Sequence, residues 1–395
     1  MKLACVVHRF GADIAGGSEG HCRLVSEHLA ARHDVTIVTT CAKDHITWRN
    51  HYPPGESRLG PLRVLRFPVA RERHLHQFMD LSDRVFADRA SVDEQEQWFR
   101  ENGPDAPELL EYLGAYGHEF DRVLFWSYRY ANTYFGLPYV ADRAILVPTA
   151  EEDPLIHVDA VRTLFSQPRG FLFLTPEEQA LVAARAPAGQ TSAVVGCGID
   201  PAADTANLAA LDALQLRDPF LLYLGRIDPN KGCGTLMRHF LRHAELRKER
   251  EASAERNVQL VMAGPSSMPI PAHPLIRPLG FVEDDVREAL LSRARALVMP
   301  SPFESLSMVL LEAWNHGLPA LVNARCKVLR GQVERANGGL YYGTAAEFMA
   351  ALDYLLDRPD EARQLGAQGL AYVEREYRWP TVMAKVERVL EAPLA

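Results

Sequence analysis

Two stretches of this 395-residue chain carry residue types suited to gripping a charged, hydroxyl-rich ligand. The first runs Tyr223-Leu-Gly225-Arg226-Ile-Asp-Pro-Asn-Lys231-Gly232. It joins an apolar run that reads as a buried strand to a helical pattern, and open α/β sheets bind ligands at such strand ends. Gly225 and Gly232 permit close backbone approach, while Arg226 and Lys231 set two cations at a helix N-terminus. That combination suits a diphosphate. The plain alternative is a solvated basic loop; glycines at both ends favour the phosphate.

The second stretch is Pro300-Ser-Pro-Phe-Glu304-Ser-Leu-Ser-Met-Val-Leu-Leu-Glu312-Ala-Trp-Asn-His-Gly317-Leu-Pro319, again just after a strand. Glu304 precedes a helix expected over Leu306–His316, and Glu312 lies inside it, so the helical rise holds them within about 12 Å. Two acceptor-only carboxylates at that separation suit hydroxyls on the two sugars of one sugar nucleotide. The amides of Ser305, Leu306, Ser307, Met308 and Val309 would open the helix toward phosphate oxygens. Glu304 alone reads equally well as a helix-start residue. Glu312 does not, because it interrupts a mostly apolar face (Met308, Val309, Leu311, Trp314) where an unpaired carboxylate is costly.

The elements that position these residues alternate strand and helix. Leu3 to His8 reads as a strand, followed by a loop with Gly11, Gly16 and Gly17, a helical pattern, and a second strand at Asp34–Thr40. That βαβ unit makes the two strands parallel. Further strands are expected at residues 62–69, Arg122–Ser127, Ala144–Pro148, Gly170–Leu174 and Thr191–Val195, with a largely helical stretch over 72–118. Residues 200–219 have the composition of a linker. The alternation then restarts with strands at Phe220–Leu224, Val258–Ala263, Ala296–Met299 and Pro319–Val322. Helices are expected at Gly232–Arg250 and Val286–Arg293, and a last one over about 380–391 starts at Trp379-Pro380. The expectation is an α/β protein of two facing doubly wound, Rossmann-like domains with a cleft between them. The first would span 1–205 and the second 206–379, with the final helix, about 380–395, packing back on the first.

Composition narrows the class. A hydrophobic content of 47% and charged content of 24% describe a folded globular chain long enough for two cores. The net charge of -8 argues against a general nucleic-acid binder. Arginines cluster between Arg58 and Arg89, and read either as a solvated face with ordinary ion pairs or as a patch for an anionic acceptor or membrane surface. Six scattered cysteines without ligand-like spacing read as reduced, mostly buried thiols. With no signal-like N-terminus and no apolar run of the ~20 residues needed to cross a bilayer, the expected location is the cytoplasm, with peripheral membrane contact left open.

Gly225-Arg226 with Lys231-Gly232, followed by Pro300-Ser-Pro-Phe-Glu304, Glu312 and Gly317-Leu-Pro319, resembles the retaining family 4 glycosyltransferases with the GT-B fold. Gly16-Gly-Ser-Glu19, Val195-Gly-Cys-Gly-Ile-Asp200 and Leu279-Gly-Phe-Val282 fall in the same order, so the resemblance covers nearly the whole chain. Phe125-Trp-Ser-Tyr-Arg-Tyr130, Thr175-Pro-Glu-Glu178 and Ser305 to Trp314 make it look closest to bacterial members of cell-surface polysaccharide clusters. The resemblance implies a hexosyltransferase acting between a sugar nucleotide and a glycan, lipid-linked or small-molecule acceptor. Arg226 and Lys231 would neutralise the departing diphosphate, Glu304 would hold the transferred sugar and Glu312 the ribose. Main chain around Gly264, Phe281 and Val282 would meet the base, and Gly16 and Gly17 would let the first loop close over the phosphates. Neither a cofactor nor a metal is expected, since the fold class usually needs none and the chain has no Asp-x-Asp.

Two departures stand out. Where many relatives have a histidine after the Val147-Pro-Thr-Ala150 strand end, this chain has Glu151, followed by Glu152 and Asp153. That cluster reads as an acceptor-side feature or as a solvated helix start. The common EGFG pattern becomes Glu304-Ser-Leu-Ser307. His8 and His21 flank the first loop and read more readily as packed than as catalytic residues. An NAD-dependent oxidoreductase would need GxGxxG directly after the first strand, which is lacking here. A sugar-nucleotide epimerase, a phosphorylase on the same fold and a noncatalytic sugar-nucleotide-binding subunit stay open.

Overall fold

A computed structural model describes residues 1–14, 16–202, 208–216, 219–250 and 258–393. Residues 203–207 and 217–218 of the expected linker lie outside the described residues. The chain divides into two compact units, one comprising Met1–Gly198 with Pro380–Ala395, the other Ile199–Trp379.

The first unit is built on β1 (Lys2–Val6), β2 (Asp34–Thr40), β3 (Gly55–Leu59), β4 (Leu62–Phe67), β5 (Arg122–Trp126), β6 (Ala144–Val147), β7 (Gly170–Phe173) and β8 (Thr191–Val194). Their order across the sheet is β3-β4-β2-β1-β5-β6-β7-β8. All pairings are parallel except β3 with β4. Parallel sheets are covered on both faces, which is why Leu3, Ala4, Cys5 and Val6 are all fully buried. The stretch 72–118 resolves into helices Leu75–Phe86, Val92–Asn102 and Pro107–Tyr116. Near the C-terminus, the helix Trp379–Glu391 brings the Glu387 carboxylate to His33 Nε2, 2.9 Å away.

The second unit holds β9 (Phe220–Leu224), β10 (Gln259–Ala263), β11 (Ile276–Gly280), β12 (Ala296–Met299), β13 (Ala320–Asn323) and β14 (Gly339–Tyr342) in the order β11-β10-β9-β12-β13-β14, parallel throughout. Helix Cys233–Arg250 follows β9, Asp284–Arg293 follows β11 and Met308–Asn315 follows β12. The last is shorter than expected: Ser307 caps it, its hydroxyl accepting from the Leu310 amide at 3.2 Å.

In both sheets the chain first winds one way and then crosses to the other side of its starting strand. The reversal falls between β1 and β5 in the first unit and between β9 and β12 in the second. Loops leaving the carboxyl ends of those strands flank a crevice suited to ligands. All six cysteines are buried free thiols. Among the described residues, no helix is long and apolar enough to cross a membrane.

Candidate functional site

At the β9–β12 reversal two loops distant in sequence meet. Lys231 Nζ lies 2.7 Å from Glu304 Oε1, although 73 positions separate them. Lys231 closes a single 3-10 turn, Pro229–Lys231, capped by the Asp228 carboxylate, which accepts from the Asn230 amide at 2.8 Å. Gly232 then takes a left-handed conformation, φ 75°, directly beneath β12: a Cβ there would lie 2.5 Å from the Pro300 carbonyl oxygen. Only glycine lets the two loops approach this closely.

The neighbouring strand ends are stitched together by main chain. Gly225 donates to Ala263 O at 3.0 Å, Gly264 donates to Gly280 O at 2.7 Å, and Ile227 donates to Pro265 O at 2.9 Å. Gly225, Gly264 and Gly280 all have positive φ. Tyr223 fixes the first loop from below, its hydroxyl donating to Arg226 O at 2.6 Å. The Arg226 side chain is exposed and, among the described residues, forms no ion pair. Phe281, immediately after Gly280, is 74% exposed, more than any other large apolar side chain among the described residues. Val282 follows it on the same strand-end loop.

On the β12 side the helix opens at Met308, so Ser305 and Leu306 precede it, and the Met308 and Val309 amides belong to its first turn. Glu312 is not the unpaired carboxylate that the sequence suggests. It shares a half-exposed stripe with Met308, Val309 and His316, while Leu310, Leu311, Ala313 and Trp314 form the buried face. Arg287 NH1 on helix Asp284–Arg293 lies 3.3 Å from Glu312 Oε1. Burial raises the Glu312 carboxyl above its ordinary value, with Arg287 pulling the other way. Burial outweighs Arg287, whose guanidinium is shared with Asp284 and Glu288.

In the first unit the β1–β5 reversal gathers His8, Glu19 and Tyr130. His8 Nε2 lies 2.9 Å from Glu19 Oε1, Arg9 donates to the same oxygen, and the Tyr130 ring lies 3.8 Å from the His8 ring. Burial opposes the charge of Glu19, but His8 and Arg9 more than offset it and hold the carboxyl down to about 2. Gly16 precedes helix Gly17–Leu29, and a Cβ on it would strike the Glu19 carboxylate at 2.2 Å; a Cβ on Gly17 would meet nothing within 4 Å. Gly16 is thus required by Glu19, and Gly17 is not sterically required.

His21 is a structural residue. Trp126 Nε1 donates to its Nδ1 at 3.0 Å, which leaves Nε2–H to donate to Gly196 O, also at 3.0 Å. Both ring nitrogens are used by the neutral form, and burial pushes its pKa down to about 4 from 6.5. A folded-state value below the unfolded one stabilises the protein above pH 6.5 and loses that contribution as pH falls toward 4. Acidification from pH 7 to pH 5 should cost the first unit about 2 kcal/mol through this residue. His21→Gln, which keeps a donor and an acceptor, should flatten that slope; an unchanged pH profile of unfolding midpoints would refute the assignment.

Glu151 is half-buried after β6, beyond Thr149, whose φ of 50° is rare for a side chain branched at Cβ. Asp153 is engaged by Arg129, so the acidic cluster is partly a paired structural feature. The residue that fixes this strand end is Glu178, fully enclosed, with one carboxylate oxygen accepting from Ala150 at 2.6 Å and the other from Leu174 at 2.5 Å. It ties β6 to β7. In the sequence Glu178 stands out only as part of the Thr175-Pro-Glu-Glu178 segment, whose Thr175-x-x-Glu178 spacing is that of a helix-capping pair.

The arginine patch resolves mainly into structural contacts. Arg63 pairs with Glu56, Arg71 with Glu101 and Arg84 with Glu94, while Arg73 donates to Asn102 and lies over Trp48 and Phe78. Arg66 donates to the Phe10 carbonyl. Ion pairing accounts for Arg63, Arg71 and Arg84, and packing against carbonyls and rings for Arg66 and Arg73.

Residues 218–358 match the family described as glycosyl transferases group 1. Glycogen synthase 1 of Synechococcus sp. is 28% identical over 202 residues, covering 43% of this chain and 38% of that protein. The chain thus spans well under half the length of that curated relative. Sucrose-phosphate synthase from Thermosynechococcus elongatus superposes with a TM-score of 0.72 at 18% identity, over 98% of each chain. The Anabaena protein HepE, solved in complex with UDP and glucose, gives 0.67 at 14% identity over 99% of each chain. These likenesses identify the two-unit architecture as the GT-B fold.

Proposed function

We propose that this chain, whose residues 218–358 form a group 1 glycosyltransferase domain within a GT-B fold, is a retaining hexosyltransferase. It would move a sugar from a nucleoside-diphosphate donor to a glycan, lipid-linked or small-molecule acceptor. The observation that carries this reading is the Lys231–Glu304 contact at the strand-order reversal. It puts a cation fit for a phosphate beside a carboxylate fit for sugar hydroxyls, at the sheet edge where ligands bind. That a structural neighbour was solved with UDP and glucose supports the same choice of ligand.

In this reading Arg226 and Lys231 meet the negative charge that grows on the diphosphate as the sugar departs. Glu304 positions the transferred sugar, and Glu312, set by Arg287, takes the ribose hydroxyls. The strand-end main chain at Gly225, Gly264 and Val282 supplies the floor for the base, with the exposed Phe281 ring beside it. The Met308 and Val309 amides add first-turn donors for phosphate oxygens. Two cations and helix-opening amides suffice for the leaving group, so no metal or cofactor is assigned a role. Gly16, Gly17 and Glu151 belong to the acceptor-side unit. Six buried thiols support a reducing, cytoplasmic setting, and peripheral contact with the inner face of a membrane would suit a lipid-linked acceptor.

A thermal-shift panel of UDP-, GDP-, ADP- and dTDP-sugars tests the donor site, since a ligand bound only by the folded protein raises its midpoint. One nucleotide class should shift wild type, and Glu312→Ala should abolish that shift for nucleotide and sugar nucleotide alike. No shift from any donor would overturn the reading. Product analysis with and without acceptor then separates transfer from epimerisation or simple hydrolysis.

A further inference from the structure

Resting on that reading, we infer that Glu304 is a latch on Lys231: in the empty site the carboxylate occupies the cation that the donor's diphosphate needs, and only a ligand carrying the sugar compensates the carboxylate for its loss. The pair is close, 2.7 Å, and partly enclosed, with side-chain exposures of 30% for Lys231 and 13% for Glu304. Arg226, by contrast, is exposed and already free of any ion pair among the described residues. A diphosphate entering the loop therefore finds one cation available and one engaged.

The consequences differ for the two ligands. A nucleoside diphosphate that draws Lys231 to its own oxygens leaves Glu304, largely enclosed, without its counter-charge, a costly state for a carboxylate. A sugar nucleotide takes the same cation but delivers hydroxyl donors to Glu304 in exchange. The latch thus taxes the product-like nucleotide and spares the sugar-bearing donor. Discrimination between them arises from the pair's rupture as well as from sugar contacts. Both loops are held from other directions, by Gly232 against Pro300 and by Tyr223 against Arg226 O, so the pair can part without the loops parting.

Calorimetric titration of UDP, GDP and ADP, and of their sugars, into four proteins tests this: wild type, Glu304→Gln, Lys231→Met and the double variant. Glu304→Gln should bind the preferred nucleoside diphosphate about two- to fivefold more tightly than wild type, the range expected for releasing one partly exposed ion pair. Its preference for the sugar nucleotide over the diphosphate should shrink. In the Lys231→Met background the same substitution should give no gain, because there is no cation left to release. A diphosphate affinity unchanged or weakened in Glu304→Gln would overturn the latch while leaving the donor site standing. A gain that persists without Lys231 would overturn it too, showing plain repulsion between Glu304 and the phosphates. If Glu304→Gln folds poorly, Glu304→Ser serves in its place, with the same expected sign. Absence of any nucleotide binding to wild type would remove the donor site itself.

Discussion

Lys231→Ala is expected to lower turnover of the preferred sugar nucleotide by about two to three orders of magnitude, the usual loss when one preorganised charge-stabilising donor is removed from a transfer site. The loss should fall chiefly on kcat. Charge on the diphosphate grows as the glycosidic bond to it breaks, so the ammonium is worth most in the transition state and less in the bound donor. Arg226→Ala should behave similarly in sign, but with a larger share in KM: its guanidinium is exposed and unengaged, ready to meet the incoming phosphates. Stability should separate the two variants in the opposite sense. Removing Lys231 leaves Glu304 without its counter-charge, whereas removing Arg226 strands nothing among the described residues. Steady-state release of nucleoside diphosphate, run beside unfolding midpoints, reads both quantities. A kcat for Lys231→Ala within threefold of wild type would mean that this cation is not at the leaving group.

Most of the fold was legible from apolar runs, and the strands that were not share one cause. Strands β1, β2, β5, β9, β10 and β12 are interior and fully or nearly fully buried, so each reads as a short continuous hydrophobic stretch. The three strands that escaped notice, β3, β11 and β14, all sit at sheet edges. There, Gly-Glu-Ser-Arg-Leu and Ile-Arg-Pro-Leu-Gly leave most side chains exposed or half-exposed, and the apolar signal disappears. Helices Lys327–Ala336, Ala345–Asp357 and Pro359–Glu376 were likewise unassigned, although Thr344-x-x-Glu347 announces the second by a full capping box.

The candidate site was legible as two motifs and not as one place. Spacing along the chain relates Arg226 to Lys231 and Glu304 to Glu312, but it cannot relate Lys231 to Glu304, because that depends on β12 crossing over to lie beside β9. The pairing of Glu312 is hidden for the same reason. Its partner Arg287 stands on a different helix, and an isolated sequence window shows only the apolar neighbours. His21 shows the converse: proximity to a glycine loop drew attention to it, while Trp126 and Gly196, both remote in sequence, determine its protonation state.

Gly264→Ala should be a severely damaging single methyl group in the second unit, because it combines a backbone clash with a left-handed conformation. Gly264 sits at φ 140°, where L-residues are strained, and its Cβ would lie 2.0 Å from the Gly225 carbonyl oxygen and 2.7 Å from its carbon. Those atoms are backbone, so no side chain can swing aside. Strain of about 1–3 kcal/mol and overpacking of similar size put the expected cost at roughly 2–6 kcal/mol of second-unit stability. Gly280→Ala supplies the internal control. It also has positive φ, 69°, but a Cβ there meets nothing within 4 Å, so it isolates the conformational penalty and should cost about 1 kcal/mol. The difference between the two variants measures how tightly the ends of β9 and β10 are pressed together. Because Gly225 precedes Arg226, relief of the clash must displace the loop that carries both cations, and donor binding should fail in Gly264→Ala even at temperatures where the unit stays folded. Denaturant midpoints that place the two variants level, or sugar-nucleotide affinity preserved in folded Gly264→Ala, would show that the strand-end floor is more yielding than its hydrogen bonds and close contacts imply.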